Sequence, residues 1–151
     1  MGEGGEFVSF TKRLKGRFAP GIPLYPLPGG GRETRFQPIW VEDIAGMTAE
    51  ATAGDGHAGE TYELGGPEVL TLREVTEMVY ESEGTSIRIV GLPMGLAGVG
   101  LKTLGVLPGF PMGGDQYRSL KFDNTTEAND IGAFDRSPAG LTTLGSYLGL
   151  E

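Results

Sequence analysis

Cysteine is absent from the chain, which excludes disulfides, thiolate nucleophiles and thiolate metal sites. Histidine occurs once, as His57 in the glycine-rich loop 54–59. It has no second histidine or cysteine with which to share a metal and no serine partner, so it reads as a solvated loop residue. Lysine is confined to Lys12, Lys15, Lys102 and Lys121. The chain begins glycine-rich and acidic, without the basic and then apolar pattern of a secretory signal. The longest apolar stretch, 91–110, is broken by Pro93, Lys102 and Pro108, well short of the ~20 residues that span a bilayer. These absences together predict a cytoplasmic protein.

What is present is acid and glycine. The net charge is −8, from 20 acidic and 12 basic side chains. That balance disfavours nucleic acid, which needs a basic footprint. An acidic, lysine-poor surface suits solubility in strong salt, where screening relieves self-repulsion, and so predicts a salt-adapted (halophilic) source. The 27 glycines and 10 prolines predict short elements joined by many turns. At 151 residues and 38% hydrophobic, the chain has the length and composition of one domain, 1–151.

Periodicity places the elements. Phe7, Phe10, Leu14 and Phe18 predict an amphipathic helix over 6–17, ended by Pro20 and Pro23. Its Lys12, Arg13, Lys15 and Arg17 suit either a membrane-surface helix or a solvated face, and the net charge favours the latter. Residues 22–27 suggest an edge strand, 29–31 a glycine loop, and 36–41 a strand despite Pro38. Asp43 is placed to cap a helix burying Ile44, Met47 and Ala51. Residues 61–64 read as a strand, and Thr71-Leu72-Arg73-Glu74 is a capping box opening a helix that buries Leu72, Val75, Met78 and Val79. Residues 86–90 alternate as a strand, 94–107 form a buried glycine-interrupted helix, and Asp115 begins a short one. Ser137-Pro138 opens the last helix, burying Leu141, Leu144 and Leu148.

Several motifs imitate chemistry. Gly91, Gly95, Gly98 and Gly100 follow a strand and enter a helix, but the spacing lacks the third glycine of a dinucleotide loop, and close helix packing explains them better. Tyr117 and Lys121 have the Y-x-x-x-K spacing, in which a cation one helical turn away lowers a phenol's pKa. Two fixed residues recur by chance, and an amphipathic surface helix is the preferred reading. Asn124-Thr125-Thr126 matches a glycosylation acceptor, which has no meaning without a secretory route. No catalytic set assembles.

The order of three runs is more specific. Gln37-Pro38-Ile39-x-Val41-x-Asp43-Ile44-Ala45, then Gly59-x-Thr61-Tyr62-x-Leu64-Gly65-Gly66, then the capping box, resembles the C-terminal half of extended or atypical short-chain dehydrogenases/reductases. Gly2-Glu3-Gly4 with Phe7 resembles the segment after a strand of that family. Asp115-Gln116 with Leu120, Asp123 and Asn124 resembles a narrower group, the dehydrogenase-like accessory subunit of respiratory complex I and its prokaryotic relatives.

The resemblance implies an α/β fold: the C-terminal half of a Rossmann-type NAD(P)-binding fold with a small mixed α+β substrate-side lobe, its N-terminal nucleotide-binding half absent. It implies NAD or NADP in the full-length protein and none held by this chain alone. Gly2, Gly4 and Gln37 become candidate cofactor contacts, and Phe7 and Phe10 candidate substrate contacts, each with a plainer reading as a turn or core residue. No catalytic or metal residue is expected. The function implied is a cofactor-covering domain of an oxidoreductase or epimerase, inactive alone, acting on a small molecule that the sequence does not identify. The alternative is a non-catalytic accessory or assembly subunit of NADH dehydrogenase, peripheral to the membrane. A missing first half would leave the 61–64 strand edge unpaired, which predicts self-association there.

Overall fold

The computed structural model describes residues 24–93 and 122–150. Among these described residues four short strands and three helices order as β1 (Leu24–Pro28), β2 (Arg35–Phe36), α1 (Val41–Thr52), β3 (Leu70–Thr71), α2 (Leu72–Ser82), β4 (Arg88–Leu92) and α3 (Leu144–Leu148), with 3-10 turns at Gly29–Gly31, Asp55–His57, Asp130–Phe134 and Pro138–Gly140. β1 and β4 pair in parallel, with Tyr25 opposite Ile89 and Leu27 opposite Gly91. β2 and β3 pair antiparallel. A parallel pair needs a crossover to join it. Here β2, α1, β3 and α2 all lie between the two strands in sequence. The described residues form a small α/β arrangement.

Among the described residues three apolar clusters make the core. Tyr25 and Leu27 of β1, Ile89 of β4 and Leu72 and Tyr80 of α2 form one, so α2 covers one face of the parallel pair. The strand period of two puts alternate residues on that face: Ile89 is buried, whereas Arg88, Val90 and Leu92 are exposed. Val75 and Val79, on α2, meet Leu144 of α3, with Met78 and Leu148 packed beside them. Met47 of α1 meets Ile131, Phe134 and Leu141, bordered by Ile39, Tyr62 and Leu64. Residues 122–150 thus close over both helices.

The capping box forms as its sequence predicts. The Thr71 hydroxyl accepts from the Glu74 backbone N–H at 3.2 Å, while Glu74 accepts from the Thr71 backbone N–H at 2.7 Å. The Thr71 backbone N–H first, and then the Thr71 hydroxyl, which also donates to the carboxylate at 2.7 Å, hold the Glu74 carboxyl below the usual carboxylate range. The strand expected over 22–27 is β1, and that expected over 86–90 is β4, shifted toward its C-terminus.

Four expectations are corrected. The strand over 36–41 stops at Phe36: Pro38 has no N–H for a ladder, and Val41 is already the first residue of α1. Asp43 does not cap α1. Trp40 holds the cap position without a side-chain bond, and Asp43, in the first turn, accepts from the Thr142 N–H at 3.0 Å. The last helix does not begin at Ser137. Pro138–Gly140 is only a 3-10 turn, Leu141 is extended, and α3 starts after Thr143, whose side chain accepts from Ser146 N–H.

Residues 61–64, expected as a strand, form none. The Glu63 N–H donates to the Asp130 carboxylate at 2.8 Å, and the Asp130 N–H donates to the Glu63 carbonyl at 2.7 Å. At Glu63, therefore, both backbone groups are already paired with residues 122–150. The expected helices at 6–17, 94–107 and Asp115 lie outside the described residues, as do Gly95, Gly98, Gly100, Tyr117 and Lys121.

Candidate functional site

Of the candidate contacts, Gly2, Gly4, Phe7 and Phe10 lie outside the described residues. Gln37 lies within them, immediately after β2, where it is half-buried. Its backbone N–H donates to the Asn124 carbonyl at 3.0 Å, and its carbonyl accepts from Gly66 N–H at 3.3 Å. The side chain reaches the same two neighbourhoods. Nε2 donates to the Gly66 carbonyl at 3.0 Å, and Oε1 accepts from Thr126 N–H at 3.1 Å.

This clasp explains two glycines. A Cβ on Gly65 would stand 2.6 Å from Gln37 Nε2 and 2.7 Å from Oε1, and one on Gly66 would overlap the Pro38 carbonyl. The Gln37-Pro38 and Gly65-Gly66 pairs, met as separate motifs in the sequence, are thus two halves of one contact. A glutamine amide has two donors and two acceptor lone pairs. One of each is used here, so one N–H and one lone pair are not engaged by Gly66 or Thr126.

Residues 126–130 complete the surroundings. Thr126 Oγ1 donates to the Glu63 carboxylate at 2.5 Å, and Gly65 N–H donates to Asn129 Oδ1 at 2.9 Å. Asn129 adopts φ +40°, a left-handed conformation that asparagine tolerates better than most residues. Sequence reasoning gave these residues no role beyond an irrelevant glycosylation pattern. No local motif marks them, because their partners are more than sixty residues away in sequence.

The carboxyl ends of the parallel strands, where α/β sheets receive ligands, carry the turn Gly29–Gly31, with all three glycines at positive φ. A Cβ on Gly31 would lie 2.7 Å from Leu27 Cδ1 and 2.9 Å from Arg73 N. Gly91 sits against Gly30, its hypothetical Cβ 3.3 Å from Gly30 N. Gly91 therefore serves close packing of two strand ends. The turn leads into Arg32 and β2 rather than into a helix N-terminus. This turn therefore lacks the loop-to-helix form of a dinucleotide-binding turn.

His57 is not a solvated loop residue. Its ring is half-buried and stacks on Phe134 with centroids 4.8 Å apart and an interplanar angle of 13°. Nδ1 lies 2.8 Å from the Tyr62 hydroxyl, and Tyr62 meets Phe134 edge-on. The loop after α1 is pinned to residues 122–150 by this aromatic trio. Among the described residues no group of three or more His, Asp or Glu is placed to hold a metal. No buried side-chain polar atom among them lacks a partner. The arrangement positions and packs.

No family model matches the chain. The NADH dehydrogenase (ubiquinone) 1 alpha subcomplex subunit 9, mitochondrial, of Arabidopsis thaliana is 45% identical over 73 residues, 48% of this chain and 18% of that protein. A rice protein named Cyclin-B1-2 is 34% identical over 65 residues, 42% of the chain and 17% of that protein. An uncharacterized protein, y4nG, of Sinorhizobium fredii is 32% identical over 111 residues, 71% of the chain and 27% of that protein. In structure, the chain matches an NADPH-dependent quinone oxidoreductase (QOR2) from Escherichia coli with a TM-score of 0.60 and 17% identity, over 95% of this chain and 50% of that one. The same enzyme complexed with NADPH matches equally, at 0.60. The chain spans about half the length of these structures and a smaller share of the curated relatives. It is a distant relative of the complex I subunit that its motifs resemble, and it carries the fold of about half of an NADPH-dependent quinone oxidoreductase.

Proposed function

We propose that this chain is the substrate-side, cofactor-covering part of an NAD(P)-dependent oxidoreductase or epimerase-like protein, without activity on its own. The observation that carries this reading is the fold match over 95% of the chain to half of an oxidoreductase that is also known with NADPH. In this reading the chain is one C-terminal domain of a Rossmann-type protein, and its partner is the nucleotide-binding half, which supplies the pyrophosphate cradle. Gly2, Gly4 and Gln37 face the cofactor, and Phe7 and Phe10 the small-molecule substrate. Gln37 would use its remaining amide N–H and lone pair, held in place by Gly66 and Thr126.

A second reading rests on the 45% identity to the complex I subunit: a non-catalytic accessory or assembly subunit of NADH dehydrogenase. It places the chain in the cytoplasm, peripheral to a membrane. Among the described residues no helix is long and apolar enough to cross a membrane. The acidic balance supports a salt-adapted source under either reading.

Fluorescence titration with NADPH tests the first reading. The chain alone is expected to show no tight binding, and a chain joined to its nucleotide-binding half is expected to bind. Micromolar binding by the isolated chain would overturn the division of labour. A joined protein that binds NADPH yet reduces no quinone or other carbonyl acceptor, and that copurifies with NADH dehydrogenase, would favour the accessory-subunit reading.

A further inference from the structure

We draw no further inference here: the strongest candidate, the outward face of the β1–β4 pair with exposed Arg88, Val90 and Leu92, carries nothing because nothing in the structure shows what covers it.

Discussion

Gln37 and Gly66 bond each other twice, once through the backbone at 3.3 Å and once through the glutamine side chain at 3.0 Å. The Gly66 N–H meets the Gln37 carbonyl, and the Gly66 carbonyl meets Gln37 Nε2. The pair fastens the segment after β2 to the Gly65–Gly66 turn, and Thr126 joins from the other side. Any ligand contact by Gln37 would therefore come from a side chain already held in one rotamer, which lowers the ordering cost of binding.

The clasp predicts a graded pair of variants. Gln37→Ala leaves the Gly66 carbonyl and the Thr126 N–H without their partner, and is expected to cost about 1–3 kcal/mol in chemical denaturation. Gly66→Ala should cost more than about 3 kcal/mol or prevent folding, because the obstacle is the Pro38 backbone carbonyl rather than a flexible side chain. Equal stability of Gly66→Ala and the wild type would show that this turn is not packed as described.

The His57 trio gives a second test. His57→Ala removes the stack on Phe134 and the bond to Tyr62. Aromatic pairs contribute about 0.5–1.5 kcal/mol beyond burial, and a hydrogen bond about 1 kcal/mol. A loss of about 1–3 kcal/mol is expected, with His57→Phe recovering the stacking share. A double-mutant cycle with Tyr62→Phe should show coupling. Additive effects of the two substitutions would return His57 to the solvated role that the sequence suggested.

The contrast between these sites and the capping box explains what the sequence made legible. Thr71 and Glu74 are three residues apart, so their reciprocal bonds are written in local spacing, as are the buried Val75 and Val79. The Gln37 run and the Gly65–Gly66 run were each visible, but their contact was not, because nothing local states that one fills the space left by the other. Asp43 had the chemistry of a cap, yet the helix began two residues before it and a distant N–H, that of Thr142, claimed the carboxylate. The 61–64 strand failed for the same reason. Asp130 took the Glu63 backbone groups, and tertiary hydrogen bonding overrode an extended propensity. Only Gln37 of the candidate site lies where its geometry can be read.

Charge predicts how solution conditions act on the fold. The lysines all lie outside the described residues, in which the arginines are Arg32, Arg35, Arg73, Arg88 and Arg136. Arg73 pairs with Glu77 at 3.0 Å and Arg136 with Glu50 at 3.4 Å, and exposed pairs of this kind contribute about 0–1 kcal/mol. Repulsion among the remaining acids acts over a screening length of ~10 Å at 0.1 M salt and ~3 Å at 1 M. The melting temperature is expected to rise by a few degrees from 0.1 to 1 M KCl. A variant carrying Glu60→Lys and Glu81→Lys, both exposed in the native chain, should show a shallower rise. A melting temperature independent of salt would remove the case for salt adaptation.

The tyrosine pair predicts behaviour at the alkaline end. Tyr25 and Tyr80 are buried, 6% and 4% exposed, and meet edge-to-face with centroids 5.4 Å apart. Burial, and then the charge that Tyr80 would carry, push the Tyr25 phenol well above the usual tyrosine range; burial raises Tyr80 as well. Folding thus favours the neutral phenols. Their contribution is fully present below the unfolded value of ~10 and is lost as pH rises from there toward the raised folded values. Between these limits the unfolded chain releases protons that the folded chain retains, so stability must fall with pH. Tyr25→Phe removes one ionisable group at the centre of this effect. It is expected to cost about 1 kcal/mol or less at pH 7 and to flatten the decline above pH ~10, so that the two stability curves converge or cross. Parallel curves throughout the alkaline range would mean that the phenol of Tyr25 ionises as readily in the folded chain as in the unfolded one, and the packing of β1 on α2 would then need another account.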